Sequence, residues 1–131
     1  IPVIADDSGL VVASLGNSPG VYSARYAGEH ANDALNNLKL LHDLEGINDR
    51  QAYFNCTICY IDNGEFYFDG QIHGIIATDL KGNHGFGYDP LFIIDNGKRL
   101  AEIPLDEKNK ISHRAKAFEK WLQFMKEKRL K

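Results

Sequence analysis

The chain has 131 residues, of which 44% are apolar and 25% charged, with a formal net charge of −3. That length suits one domain with a buried core, and the composition is that of an ordinary globular protein. The acidic balance speaks against a nucleic-acid surface as the main function, but leaves room for one positive pocket holding a small anion. No apolar run approaches the roughly 18 residues of a membrane span, and no basic-then-apolar leader opens the chain, so a cytoplasmic protein with no membrane contact is the expectation.

The chain opens on Ile1-Pro2-Val3-Ile4, without Met and inside what reads as a buried strand. Termini are usually solvated, so an upstream segment is expected to precede it. Residues 1–6 and about 9–14 read as extended. Between them stands Ala5-Asp6-Asp7-Ser8-Gly9-Leu10. Alternation along a strand prevents Asp6 and Asp7 from both facing the core. One of the two can hold local structure while the other looks into a cleft at the strand end, as a Mg²⁺ ligand or a general base. An Asx turn satisfying backbone donors is the alternative.

Gly16-Asn17-Ser18-Pro19-Gly20 is a loop of turn residues, followed by the short aromatic stretch Val21 to Gly28. Its one cation, Arg25, is either a solvated surface arginine or one held ready for an oxyanion. Leu35, Leu38, Leu41 and Leu44 then recur at helical spacing, with Asn32 as N-cap and Gly46 as stop. The spacing predicts a helix over 33–45 with this leucine stripe in the core.

Residues 51–61 alternate, Asp62-Asn63-Gly64 marks a hairpin turn, and 65–69 reads as the return strand. A further extended piece is expected over 71–78, bent near Gly70 or Gly74. Cys56 and Cys59 form a nominal C-x-x-C. On a strand they fall on opposite faces and cannot jointly grip a metal, so buried free thiols are the better reading. A hairpin combined with helices points to an α/β fold with a mixed, twisted sheet.

Gly85-Phe86-Gly87-Tyr88-Asp89-Pro90 leads into an apolar strand, Leu91 to Ile94. Glycines on either side of Phe86 suit a loop whose backbone approaches a ligand and whose ring stacks on a base; a tight turn with a core phenylalanine is the alternative. In Lys108-Asn109-Lys110-Ile111-Ser112-His113-Arg114-Ala115-Lys116, Ser112 caps the last helix, whose apolar side is expected to carry Ala115, Phe118, Leu122 and Met125. Cations at a helix N-terminus cost some tenths of a kcal/mol each, up to about 1. His113, Arg114 and Lys116 there suggest a site that needs donors, against the alternative of a solvated basic face. The basic tail from Lys126 to Lys131 complements a helix C-terminus and needs no function.

Taken together, the stretches 5–10, 19–28, 85–90 and 108–114, with Asn36-Asn37, Lys39-Leu40-Leu41 and Ala101-Glu102, resemble the inosine triphosphate pyrophosphatase family, in order and over nearly the whole chain. The resemblance implies a mixed β-sheet flanked by helices, with two lobes around a nucleotide cleft. It implies Mg²⁺-dependent hydrolysis of deaminated purine nucleoside triphosphates (ITP, dITP, XTP) to the monophosphate and pyrophosphate, and a homodimer. By motif, Asp7 would be catalytic base and metal ligand, and Ser8 would contact substrate. Phe86, Gly87, Tyr88 and Asp89 would form the base pocket, with Lys108, His113 and Arg114 completing the substrate site and Arg25 a phosphate contact. The family's N-terminal Ser/Thr-x-Asn-x-x-Lys loop, which binds the triphosphate, and a glutamate downstream of it are not in this sequence. The domain is therefore expected to lack its N-terminal strand and phosphate loop. The competing expectation is a catalytically incomplete nucleotide-binding or dimerisation module.

Overall fold

Alternation of apolar and polar residues carries the chain through one antiparallel sheet, which a computed structural model describes over residues 2–20, 22–28, 32–82 and 87–129. Its strands are β1 (Val3–Val12), β2 (Ser18–Gly20), β3 (Gln51–Ile61), β4 (Glu65–Ile76) and β5 (Phe92–Ile93), in the spatial order β2-β1-β3-β4-β5. All four pairings are antiparallel. The α/β character is as expected; the parallel pairing that would make the sheet mixed is not among the described residues.

Among the described residues three α-helices accompany the sheet: α1 (Asp33–Asp43), α2 (Leu105–Ile111) and α3 (His113–Arg129). Asn32 caps α1 as expected, its side chain accepting from the Leu35 N–H at 3.1 Å. Ser112 likewise caps α3, its hydroxyl accepting from the Ala115 N–H at 3.1 Å. The sequence reading missed α2, although Pro104 ahead of Asp106 and Glu107 is the start signal of a short helix.

Several expectations need correction. β1 is one unbroken strand, not two extended pieces around a turn, because residues 3–12 pair in continuous register with β3. Asp6 and Asp7 therefore sit in mid-strand. β4 likewise continues unbroken through Gly70 and Gly74. These glycines are close approaches rather than bends: a Cβ on Gly70 would lie 2.1 Å from the His113 carbonyl, and one on Gly74 2.3 Å from that of Ile93. The strand expected over Leu91 to Ile94 shrinks to the two residues of β5, since Asp89–Leu91 forms a 3-10 turn. In α1 the buried face is Asn36, Asn37, Leu40 and Leu44, whereas Leu35 and Leu38 are exposed. In α3 the face against the sheet carries Ala117, Trp121 and Phe124, and Phe118 and Leu122 are exposed.

The main core lies between one sheet face and the polypeptide around α1 and residues 88–103. Leu10, Val12, Leu40, Leu44, Phe92 and Ile76 are buried there. Each such side chain contributes about 1.5–3 kcal/mol on leaving water. A second cluster, Cys56, Ile58 and Ala117 with Trp121 and Phe68, fastens α3 to the same face. Cys56 is buried and Cys59, on the opposite face, only partly so; both thiols are free.

Candidate functional site

β1, the turn after Gly87 and the α2–α3 junction, distant in sequence, converge with residues of α1, β3 and the Ser23 turn. Together they line a cavity of about 250 Å³. Ser8 reaches it because it shares the face of Leu10 and Val12 on β1. Gly87, Tyr88 and Asp89 form one wall, and Lys108, His113 and Arg114 another. These sequence-predicted residues are thus brought together. Phe86 lies outside the described residues. Arg25 is exposed in the short 3-10 turn Ser23–Arg25 and does not line the cavity.

Asp7 also lies off the cavity. Asp6 points to the α3 side of the sheet, where its carboxylate pairs with Arg114 Nε at 3.1 Å. Asp7, its neighbour, takes the other face, opposite Thr57, and is exposed. β2 pairs with β1 only at Leu10, Val11 and Val12. Among the described residues the other edge of β1 therefore has no strand partner from Val3 to Ser8, and around that edge the face of Ser8 and the face of Asp7 are neighbours.

The chemistry of the cavity is set by a few buried polar groups. Lys108 and Asp89, 8% and 6% exposed, form an ion pair in its wall. His113 stacks on Phe54 with ring centroids 5.2 Å apart. Burial, helped by the Arg114 and Lys108 charges, lowers its pKa to about 4, so the imidazole is neutral at pH 7. Its Nδ1 and the Ser8 hydroxyl are buried without a hydrogen-bond partner among the described residues. These two polar atoms, on residues that line one cavity, are groups that a polar ligand would satisfy. The helix-terminal cations, costly at face value, are each accounted for. Arg114 pairs with Asp6, Lys116 donates to the Gln71 carbonyl at 2.9 Å, and His113 carries no charge.

Sequence reasoning missed several wall residues, among them Ser23, Asp33, Asn36 and Phe54. Ser23 accepts from the Leu10 N–H at 2.8 Å, and its carbonyl accepts from the Tyr88 hydroxyl at 2.5 Å. Burial and the nearby Asp33 charge push the Tyr88 phenol up, so it stays a hydrogen-bond donor. Phe54 read simply as one inward position of an alternating strand, and no local signal distinguished it.

Comparison with known proteins places the chain in a family. A dITP/XTP pyrophosphatase of Geobacter sulfurreducens is 50% identical over 122 residues, covering 89% of this chain and 61% of that protein. One of Clostridium perfringens is 53% identical over 123 residues, covering 90% of this chain and 60% of that protein. The chain thus spans about 60% of the length of these relatives. The structure of the Staphylococcus aureus Ham1 protein superposes with a TM-score of 0.95 at 42% identity, over 97% of this chain and 68% of that one. A HAM1 protein from Coxiella burnetii gives 0.93 at 41% identity, over 97% and 68%. A sequence profile of the Ham1 family matches residues 1–124, and the chain belongs to that family.

Proposed function

We propose that this chain carries the purine-binding part of a pyrophosphatase that hydrolyses deaminated purine nucleoside triphosphates to the monophosphate and pyrophosphate. The observation that carries the reading is one cavity that gathers Ser8, Gly87, Tyr88, Asp89, Lys108, His113 and Arg114 from distant parts of the chain. Relatives half identical in sequence and named dITP/XTP pyrophosphatases support it.

A purine enters between the Gly87–Asp89 wall and the His113–Arg114 wall. The 6-keto group of hypoxanthine or xanthine offers an acceptor where adenine presents an amino donor. The Arg114 guanidinium, whose Nε is held by Asp6, turns its remaining N–H donors to the former and finds no acceptor in the latter. Neutral His113 adds one donor or acceptor, according to its tautomer, without adding charge. The Ser8 hydroxyl lies where the ligand passes the β1 edge. From there the triphosphate rounds the open strand to Asp7, which orients and deprotonates the water that attacks the α-phosphorus, and pyrophosphate leaves. Arg25, exposed and next in sequence to Ala24 of the cavity lining, is proposed as a contact to the phosphates.

Mg²⁺ fits this donor set in one respect. Asp7 is an exposed hard oxygen ligand, and Mg²⁺ is commonly held by one or two carboxylates with substrate phosphates and water. Among the described residues no group of three or more His, Cys, Asp or Glu could hold a metal without such help. When bound, the ion would neutralise charge developing on the phosphate oxygens. We also propose a cytoplasmic homodimer; no helix among the described residues is long and apolar enough to cross a membrane.

The test is pyrophosphate release from inosine and adenosine triphosphates with and without Mg²⁺. It is run on this chain and on a form extended by the remaining segment of a relative, with mass by light scattering on the same samples. Release from the inosine nucleotide that Asp7→Asn abolishes without loss of folding is the expected result. Retained turnover in that variant would remove Asp7 from its role. Nucleotide binding with no release by either form would instead favour a binding module.

A further inference from the structure

Helix α1 buries two asparagines where leucines were expected, Asn36 at 2% and Asn37 at 4% exposure. A buried amide is unfavourable unless its hydrogen bonds are made, so the partners of Asn36 and of the Asn37 amide nitrogen state what the positions are for; the Asn37 Oδ1 has none among the described residues. Asn36 accepts from the Ala27 N–H at 2.8 Å and donates to the Ala24 carbonyl at 2.9 Å, fixing the turn beside the cavity. Asn37 reaches further. Its Nδ2 donates to the Asp33 carbonyl at 2.8 Å and to the Gly87 carbonyl, fifty residues along the chain, at 2.9 Å. From one turn earlier, the Asp33 carboxylate accepts the Gly87 N–H at 2.9 Å.

Both polar groups of the Gly87 backbone are thus held by two side chains of one helix. Positions i and i+4 lie on the same face, which is why one residue can be gripped from both sides. Gly87 has φ +61°, a left-handed conformation that glycine adopts readily. It lines the cavity directly ahead of Tyr88 and Asp89.

We propose that Asp33 and Asn37 are positioning residues: a two-sided clamp on the Gly87 backbone that sets the Gly87–Asp89 wall in its nucleotide-binding conformation. This rests on the reading of the cavity as the purine site. The clamp acts before any ligand arrives, by removing conformations in which the wall has swung away from His113 and Arg114. The ordering is therefore already present in the unliganded protein, and binding need not supply it.

Two readouts test this on the extended protein. The first needs no nucleotide: amide hydrogen exchange at Gly87. Asp33→Ala is expected to speed exchange about tenfold or more. Asp33→Asn, which keeps an acceptor oxygen but no charge, should stay close to wild type. The second is steady-state hydrolysis of inosine triphosphate, together with binding of inosine monophosphate. Asp33→Ala and Asn37→Ala should raise KM, and weaken monophosphate binding, by about tenfold, with kcat falling far less. Asn37→Asp, which turns a carboxylate toward the Gly87 carbonyl, should be worse than Asn37→Ala. Unchanged exchange at Gly87 in Asp33→Ala overturns the clamp. So does equal loss in Asp33→Asn and Asp33→Ala, which would trace the effect to helix-end charge. Faster exchange with unaltered KM overturns the positioning role while leaving the purine site intact. A wild-type protein that binds no inosine nucleotide overturns the purine-site reading, and the positioning role with it.

Discussion

Burial against Phe54, with Arg114 and Lys108 close by, keeps the His113 imidazole neutral down to about pH 4, whereas an unfolded chain would protonate it near its ordinary value of 6.5. Between those values the unfolded state binds a proton that the folded state does not, so stability from this group is fully present above about 6.5 and is lost as pH falls toward 4. With the partial solvent access of the ring allowed for, the loss from pH 7 to pH 5 is on the order of 1 kcal/mol. Urea midpoints at the two pH values should show that loss in wild type and a clearly smaller one in His113→Gln. An equal loss in both would mean that the histidine titrates normally. The same residue shows what was legible at this scale. His113 and Arg114 declared themselves as cations at a helix start and Gly87 as the flank of an aromatic loop, whereas Ser8, Tyr88, Asp89 and Lys108 were legible only through the family resemblance. Ser23, Asp33 and Asn37 did not declare themselves, because each looks like an ordinary cap or turn residue until its partner, tens of residues away, is in place.

At the scale of elements, periodicity located helices and strands but misjudged their faces. In α1, leucines at 35, 38, 41 and 44 marked one stripe, yet residues 36, 37, 40 and 44 form the buried face. Hydrophobicity alone cannot see that two asparagines are acceptable inside when backbone groups of residues 23–27 and 87 await them. In α3 the same reading missed by one position, placing Phe118 and Leu122 inwards instead of Ala117 and Trp121. The glycines of β4 explain why small residues win there. Helix α3 lies so close to the sheet at Gly70 that an added Cβ would fall 2.4 Å from the Ala117 nitrogen as well as 2.1 Å from the His113 carbonyl. Both are backbone atoms, so the helix itself would have to move. Gly70→Ala should therefore destabilise by about 2–3 kcal/mol or more, against a change within roughly 1 kcal/mol for Gly28→Ala, whose Cβ meets nothing within 4 Å. Because α3 starts with His113 and Arg114, the Gly70 variant should also lose nucleotide affinity at temperatures where it remains folded. A Gly70→Ala urea midpoint equal to that of wild type would show that α3 does not depend on this contact.

For the molecule as a whole, the antiparallel sheet leaves β4 with one edge unpaired over most of its length among the described residues, since β5 meets it only at Ile75 and Ile76. Such an edge is a template for another strand, and charged side chains laid across it are a common defence. Here α3 supplies them: Lys116 Nζ donates to the Gln71 carbonyl at 2.9 Å, and Lys120 Nζ to the Asp69 carbonyl at 2.6 Å. The two lysines occupy acceptors that an incoming strand would use, and they place positive charge along its path. An exposed lysine-to-carbonyl bond contributes little to stability, about 1 kcal/mol at most, so their larger effect should be on association. The Lys116→Ala, Lys120→Ala double variant is expected to keep its urea midpoint within about 1 kcal/mol of wild type. By light scattering its apparent mass should rise with concentration beyond that of wild type. Adding Gln71→Pro, which removes an N–H and disfavours strand pairing at the same edge, should bring the mass back down. A double variant that stays at the wild-type mass across the same concentrations would show that the twist of the sheet, rather than its lysines, protects this edge.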